Sequence, residues 1–201
     1  MFIRNIEIEV KCKIDEEDVS IIRTLLGKPK EIVKEVDYYF NSPVRDFSKT
    51  DEALRVRLSE GPDGKKEIEI TYKGPKIDFR TKTREEINIK LSNNVPVESV
   101  MILFEKLDFK LVGIIEKIRE IYIGDFGMRI YLDNVSGIIN GKRVYLGYFI
   151  EVEILGEYSE ENVRRVLNYI KKLGCTKTIR ESYLELLIKA SKGDVSWWTE
   201  H

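Results

Sequence analysis

Two pairs of glutamates stand two residues apart, Glu7 with Glu9 and Glu151 with Glu153, inside runs that alternate apolar and charged residues. On a strand, residues i and i+2 point the same way, about 6.5–7 Å apart, so each pair offers two carboxylates to one ligand. Carboxylate oxygens in small number suit a hard divalent cation that keeps water or phosphate in its other positions. Basic residues follow the same spacing: Arg55 with Arg57, Lys117 with Arg119, and Lys11, Lys73 and Arg84 on other runs. Guanidinium forks and ammonium point charges are what phosphate oxygens require. The bland alternative is a solvated sheet face, since exposed ion pairs are common and contribute little.

Other chemistries are excluded by what the chain lacks. Its only histidine is His201, so Ser-His hydrolysis, His-ligated zinc and an internal histidine base are absent. The 201 residues carry 34 Lys+Arg against 35 Asp+Glu, a net charge of -1, which argues against a nucleic-acid binder. No apolar run is long enough to span a bilayer and no signal peptide opens the chain. Two cysteines make no disulfide framework, and a cytoplasmic location is the expectation. Cys12 lies opposite Glu9 and Lys11 as a small core residue, and Cys175 shows no partner. A charged fraction of 34 % and the lack of glutamine resemble heat-adapted proteins.

The elements that must position these groups are mostly strands. Period-two alternation runs from Ile6 to Lys13 and from Leu54 to Leu58, and then over 67–73, 84–91, 116–123, 128–135 and 145–155. Gly61-Pro62-Asp63-Gly64, Gly74-Pro75 and Gly124-Asp125-Phe126-Gly127 mark turns, and Asn140-Gly141 reads as a hairpin tip. Helical spacing is predicted over 16–26, 97–107, 160–173 and 181–190. About eight strands and a few helices give a mainly β, α+β chain: a closed antiparallel barrel or a strongly curved sheet, with helices packed outside. Helices have apolar faces to cover, and only the strands' apolar faces can receive them, which leaves the charged face lining the interior. One domain over 1–190 is expected, with 191–201 as a tail. Trp197 and Trp198 in that tail would cover a surface or a contact within a homodimer.

At Glu7-Ile8-Glu9-Val10-Lys11 the sequence resembles the opening of the CYTH, or triphosphate tunnel metalloenzyme, superfamily. Companion segments follow in that family's order: 37–40, 54–57, 71–75, 84–86, 117–119, 132–135 and 147–153. The resemblance covers about residues 3 to 190. It implies an eight-stranded tunnel in which Glu7, Glu9, Asp133, Glu151 and Glu153 hold Mg2+ or Mn2+. It also implies that Lys11, Arg55, Arg57, Lys73, Arg84, Lys117 and Arg119 grip a triphosphate. Asn88 and Asn41 depart from residues frequent in the family.

The chemistry then depends on the nucleophile. A 3′-hydroxyl of ATP attacking the α-phosphorus yields cyclic AMP and pyrophosphate; water attacking the terminal phosphorus yields orthophosphate. Lys73 is a candidate proton acceptor, beside metal-bound hydroxide or an acidic residue. The segment 180–187 resembles the C-terminal pattern of the class IV adenylyl cyclase branch; as a plain amphipathic helix it would close the barrel mouth with Tyr183 packed inside. Three functions follow: a cyclase, a triphosphatase acting on inorganic triphosphate, thiamine triphosphate or nucleoside triphosphates, and a non-catalytic polyphosphate-binding module. No membrane or nucleic-acid partner is expected.

Overall fold

The structure, a computed structural model, describes residues 5–92 and 94–194. Trp197, Trp198 and His201 lie outside the described residues. Eight antiparallel strands are formed: β1 (Asn5–Ile14), β2 (Glu31–Asn41), β3 (Ala53–Glu60), β4 (Lys66–Lys73), β5 (Arg84–Lys90), β6 (Lys110–Ile123), β7 (Arg129–Ile139) and β8 (Lys142–Gly156). They close into a barrel in the order β1-β5-β4-β3-β2-β6-β7-β8. Helices α1 (Val19–Leu26), α2 (Phe47–Thr50), α3 (Val97–Lys106), α4 (Glu160–Lys172) and α5 (Tyr183–Ser191) complete the chain.

Strand β2 has no counterpart among the alternating runs of the sequence. The reason is local: Tyr38-Tyr39-Phe40 puts three aromatics in a row, and the β2–β6 register shifts between Tyr39 and Phe40. Such a bulge breaks the two-residue period. The short α2 also escaped the helical pattern, since four residues cannot show a period of 3.6. The hairpin tip is as expected: Asn140 and Gly141 both take positive φ, 50° and 74°, which the tight turn between β7 and β8 requires.

The apolar faces of the strands point outward beneath the helices. Ile8, Val10, Ile130, Leu132, Ile150 and Val152 pack with Val163, Val166 and Ile170 of α4 and with Val19 and Ile22 of α1. Those α4 residues fall at helical spacing on one side, and Ser159 caps the helix by accepting from the Asn162 N–H. On the far side, α3 covers Phe40, Val56 and Ile68 with Val97 and Val100. The folding core is therefore a shell around the barrel, and the interior is left for charge.

One end of the barrel is plugged. Tyr183, Leu186 and Leu187 of α5 pack on Tyr39, Ile115, Val135 and Phe149. The approach depends on two glycines: a Cβ at Gly137 would lie 2.7 Å from a Leu187 methyl, and one at Gly113 would lie 3.1 Å from Leu184. Helix α5 is entered through a capping box in which the Ser182 side chain and Glu185 satisfy each other's backbone N–H groups.

The cysteines correct the sequence reading. Cys175 is disulfide-linked to Cys12 across 163 residues, with their Cα atoms 6.3 Å apart. Nothing in the local sequence pairs them; the contact exists because α4 lies on the outer face of β1 and delivers Gly174-Cys175 to it. Just beyond, the Ile179 N–H donates to the Lys11 carbonyl at 2.7 Å, so the segment leading to α5 is strapped along β1.

Candidate functional site

The barrel interior is a cavity of about 330 Å³ whose lining is mostly charged. All seven predicted phosphate-gripping residues line it, with Glu7, Glu9, Glu151 and Glu153. Asp133 lies behind this wall, fully buried. Burying this many charges is unfavourable unless each finds an opposite charge or a ligand. The pairing inside the tunnel is therefore informative.

The acidic residues divide into two groups. Asp133 and Glu151 are committed to cations: Arg119 donates to both Asp133 oxygens at 2.7 and 2.6 Å and to Glu151 at 2.6 Å. Lys11 lies 3.1 Å from Glu151, and its ammonium sits 3.8 Å over the Tyr183 ring. Burial opposes ionisation of Glu151, but Lys11, Arg119, Lys82 and Lys117 outweigh it and hold the carboxyl well below its ordinary value.

Glu7, Glu9 and Glu153 form a second group that crowds like charges together, each beside a cation of its own: Lys73 at 3.2 Å, Lys82 at 2.5 Å and Arg129 at 3.6 Å. Glu9 and Glu153 are register partners on β1 and β8. Burial, then the nearby Glu7, push the Glu153 carboxyl up to about 8, with Glu9 adding to the rise and the Tyr131 hydroxyl bond opposing it. Burial and the neighbouring Glu86 likewise raise Glu7. Two lysines temper this group. The Lys73 ammonium bridges Glu7 at 3.2 Å and Glu86 more closely. Lys82 donates to Glu9 at 2.5 Å.

Among the described residues, no three acidic, cysteine or histidine side chains converge as a ready-made cation site. The donor set nevertheless fits a hard divalent ion in type and charge: three carboxylates on two adjacent strands, two of them raised by burial and by like charges. Glu7, Glu9 and Glu153 are the residues that would hold it. Lys73, a candidate proton acceptor in the sequence reading, is buried, yet Glu7 and Glu86 raise its pKa above the ordinary lysine value. That state suits an electrostatic contact.

The basic wall is partly self-neutralised. Arg57 donates to both Asp37 oxygens at 2.6 and 2.8 Å and reaches Glu35 at 3.2 Å. Lys117 lies 2.9 Å from Glu35. These cations outweigh burial and hold the Glu35 carboxyl at about 2. Arg55 bonds to the Thr71 hydroxyl at 2.9 Å, and its Nε is left buried without a partner. Arg84 is more exposed electrostatically: it is 3 % accessible, its Nε has no partner, and no carboxylate lies within ion-pair distance of it among the described residues.

Four contributors escaped the sequence reading. Glu35 and Asp37 are spaced two apart before Tyr39 on β2, a signal hidden by the aromatic run that follows. Glu86 shares the face of Arg84 on β5, within the segment 84–86, where the sequence assigns a role to Arg84 alone. Lys82 belongs to no strand; it precedes Arg84 by two, in a loop whose extended end continues the pairing with β1.

The family profile of the CYTH domain matches residues 5–183. A Methanocaldococcus jannaschii protein named "Putative adenylate cyclase" is 38% identical over 189 residues, covering 90% of this chain and 98% of its own. The solved PH1819 protein from Pyrococcus horikoshii OT3 superposes with a TM-score of 0.80 at 36% identity, covering 92% of this chain and 99% of that one. A Hippeastrum protein named as an adenylyl cyclase and described as having a dominant triphosphatase activity shares the fold, with a TM-score of 0.64 at 16% identity over 92% of this chain and 96% of that one.

Proposed function

The chain belongs to the CYTH domain family, and from that premise we propose that it is a metal-dependent enzyme acting on a triphosphate inside the barrel. The observation that carries this reading is Arg84, a buried guanidinium with no carboxylate in ion-pair reach. Such a group is costly unless an anion completes it. Beside it, Arg55 offers a second unsatisfied Nε. A linear polyphosphate is an anion long and charged enough to meet both and the remaining basic wall.

The reaction we favour is the adenylyl cyclase one, in keeping with the name of the 38% identical relative. The 3′-oxygen of ATP bonds to the α-phosphorus, the bond from that phosphorus to the pyrophosphate oxygen breaks, and the hydroxyl proton passes to a lining carboxylate or to water. Arg84, Arg55 and Lys73 would orient the phosphates and spread the charge of the leaving pyrophosphate. Glu7, Glu9 and Glu153 would hold Mg2+ or Mn2+, which supplies Lewis-acid charge at the phosphate oxygens when bound. Arg119, fixed by Asp133 and Glu151, would keep the wall rigid while substrate binds. No helix of the described chain is long and apolar enough to cross a membrane. We place the protein in the cytoplasm as a single domain over 1–190, a location with which the Cys12–Cys175 bond agrees for a heat-adapted chain.

A second reading rests on the lining itself. Apart from Tyr39, Ala53, Asn88, Tyr131, Leu155, Ser182 and Tyr183, the cavity offers charge and little surface for a base. That composition favours hydrolysis of inorganic triphosphate, with thiamine triphosphate the substrate to compare. One panel separates the readings: ATP, inorganic triphosphate and thiamine triphosphate, each with Mg2+, Mn2+ or chelator. Cyclic AMP with equimolar pyrophosphate supports the cyclase. Orthophosphate alone supports the triphosphatase. Triphosphate binding in chelator with no turnover under any metal overturns both.

A further inference from the structure

Lys82 is a buried cation whose contacts are made almost wholly with one carboxylate residue. Its side chain is 6 % accessible, its ammonium is 2.5 Å from Glu9 Oε1, and its backbone N–H donates to the Glu9 carbonyl at 2.8 Å. The loop that delivers it is firmly held. Asp78 accepts from the N–H groups of Arg80 and Thr81, and Arg180 donates to the Asp78 carbonyl at 2.8 Å. Thr81 and Thr83 share a 2.6 Å hydroxyl bond on either side of it. Lys82 is thus placed by the fold, against one of the three carboxylates that would hold a divalent ion.

A divalent ion and the Lys82 ammonium compete for the charge of the same Glu9 carboxylate. Once the Glu9 oxygen is taken, Lys82 is left in the tunnel beside Lys11, Arg84 and the ion, and needs a new anion. A triphosphate in the same cavity is one. We propose that Lys82 is a built-in counter-ion that holds Glu9 in the metal-free tunnel and transfers to the triphosphate when a divalent ion takes Glu9. Lys82 is then a positioning residue through which metal binding and substrate binding assist each other. Coupling of this kind is reciprocal: whatever factor triphosphate adds to metal affinity, metal adds to triphosphate affinity. The inference rests on the metal-dependent triphosphate reading above.

The test is a Mn2+ titration of the full chain without substrate, reading free Mn2+ by electron paramagnetic resonance. Lys82→Met should bind Mn2+ about tenfold more tightly than wild type, because no ammonium competes for Glu9. Lys82→Arg, which keeps a cation there, should stay near wild type. Lys11→Met removes a buried ammonium that touches Glu151 instead, and should gain far less. A second arm measures inorganic triphosphate binding by calorimetry in EDTA. There Lys82→Met should match wild type, since Lys82 is engaged with Glu9 whenever metal is absent. Lys82→Gln serves the same comparisons if the methionine variant does not fold.

Equal Mn2+ affinity in wild type and Lys82→Met overturns the inference, as does an equal gain in Lys11→Met. A tenfold or greater loss of triphosphate binding in EDTA also overturns it, by making Lys82 an ordinary phosphate contact. Wild-type protein that takes up no Mn2+, with or without triphosphate, overturns the metal reading itself and this inference with it.

Discussion

The Tyr183 hydroxyl donates a 2.8 Å hydrogen bond to Asp133, and that same carboxylate is the one clasped by Arg119. The plug helix is thereby joined to the charged wall through a single phenol. Tyr183→Phe should lower stability by about 1 kcal/mol, the net contribution of one hydrogen bond, while leaving the Arg119–Asp133 pair in place. Denaturant unfolding measures the first effect. Steady-state kinetics should show KM rising more than kcat falls, because the wall is loosened and no reacting group is lost.

Arg84 gives the reverse combination. Arg84→Met removes a buried charge that has no ion-pair partner among the described residues, so the ligand-free protein should become more stable by about 1–3 kcal/mol. Inorganic triphosphate binding in chelator should fall about a hundredfold, a loss of the size found when a buried charged contact is removed. Guanidinium unfolding and calorimetry on the same preparation check both. A less stable variant with unchanged binding would remove the main support for the anion site.

Glu153→Gln addresses the acidic side of the cavity. Glu153 stands opposite Glu9 with its carboxyl pushed up to about 8, by burial first and then Glu7. Neutralising it relieves repulsion, so the fold should remain intact by circular dichroism. Turnover should drop at least about a hundredfold if this carboxylate helps to hold the metal. Unchanged rates in both Glu153→Gln and Glu7→Gln would sink the metal assignment.

The basic wall predicts an acid dependence. Glu35 is held at about 2, against an ordinary value of 4.5, with Arg57, Lys117 and Arg119 outweighing the effect of burial. A depressed carboxyl binds its proton less tightly in the folded state than in the unfolded one. Its stabilisation is therefore complete above about pH 4.5 and is lost as pH falls through 2. Glu35→Gln should cost up to about 3 kcal/mol at pH 7 and progressively less toward pH 2. Urea unfolding at pH 7, 4 and 2.5 checks the sign.

The Cys12–Cys175 bond closes a loop of more than 160 residues. Removing such a cross-link costs about 3 kcal/mol, which for a chain of this size lowers Tm by about 10 °C. Cys175→Ser and fully reduced wild type should therefore melt together, both below the oxidised protein. Calorimetry with and without dithiothreitol decides it.

Most of the tunnel was readable because its logic is strictly periodic. Glu7-x-Glu9-x-Lys11 and Glu151-x-Glu153 declare a charged face whatever the fold, and the scarcity of other surfaces for the helices turns that face inward. What escaped had no period to show. Glu35 and Asp37 precede a bulge that disrupts alternation, and Lys82 sits on a loop held by contacts from Asp78 and Arg180, residues about a hundred positions apart. The disulfide is a three-dimensional coincidence of α4 and β1. The division of the acids into a pair shared by Arg119 and a trio crowded on β1 and β8 depends on cross-strand register, which no single strand encodes.

Strand β1 pairs with β5 and β8, and the strap at Ile179 is bonded to it as well. Strand β1 must wait for more than 140 further residues before β8 is complete beside it. Until β8 arrives, Glu7, Glu9 and Lys11 have no wall opposite them, and the barrel is an open sheet with an unpaired edge. Folding of this kind is dominated by distant contacts and is slow for that reason. It also means that the reactive interior is assembled last, in one closing event, so a truncated or half-made chain would carry the carboxylates without the chamber that gives them work.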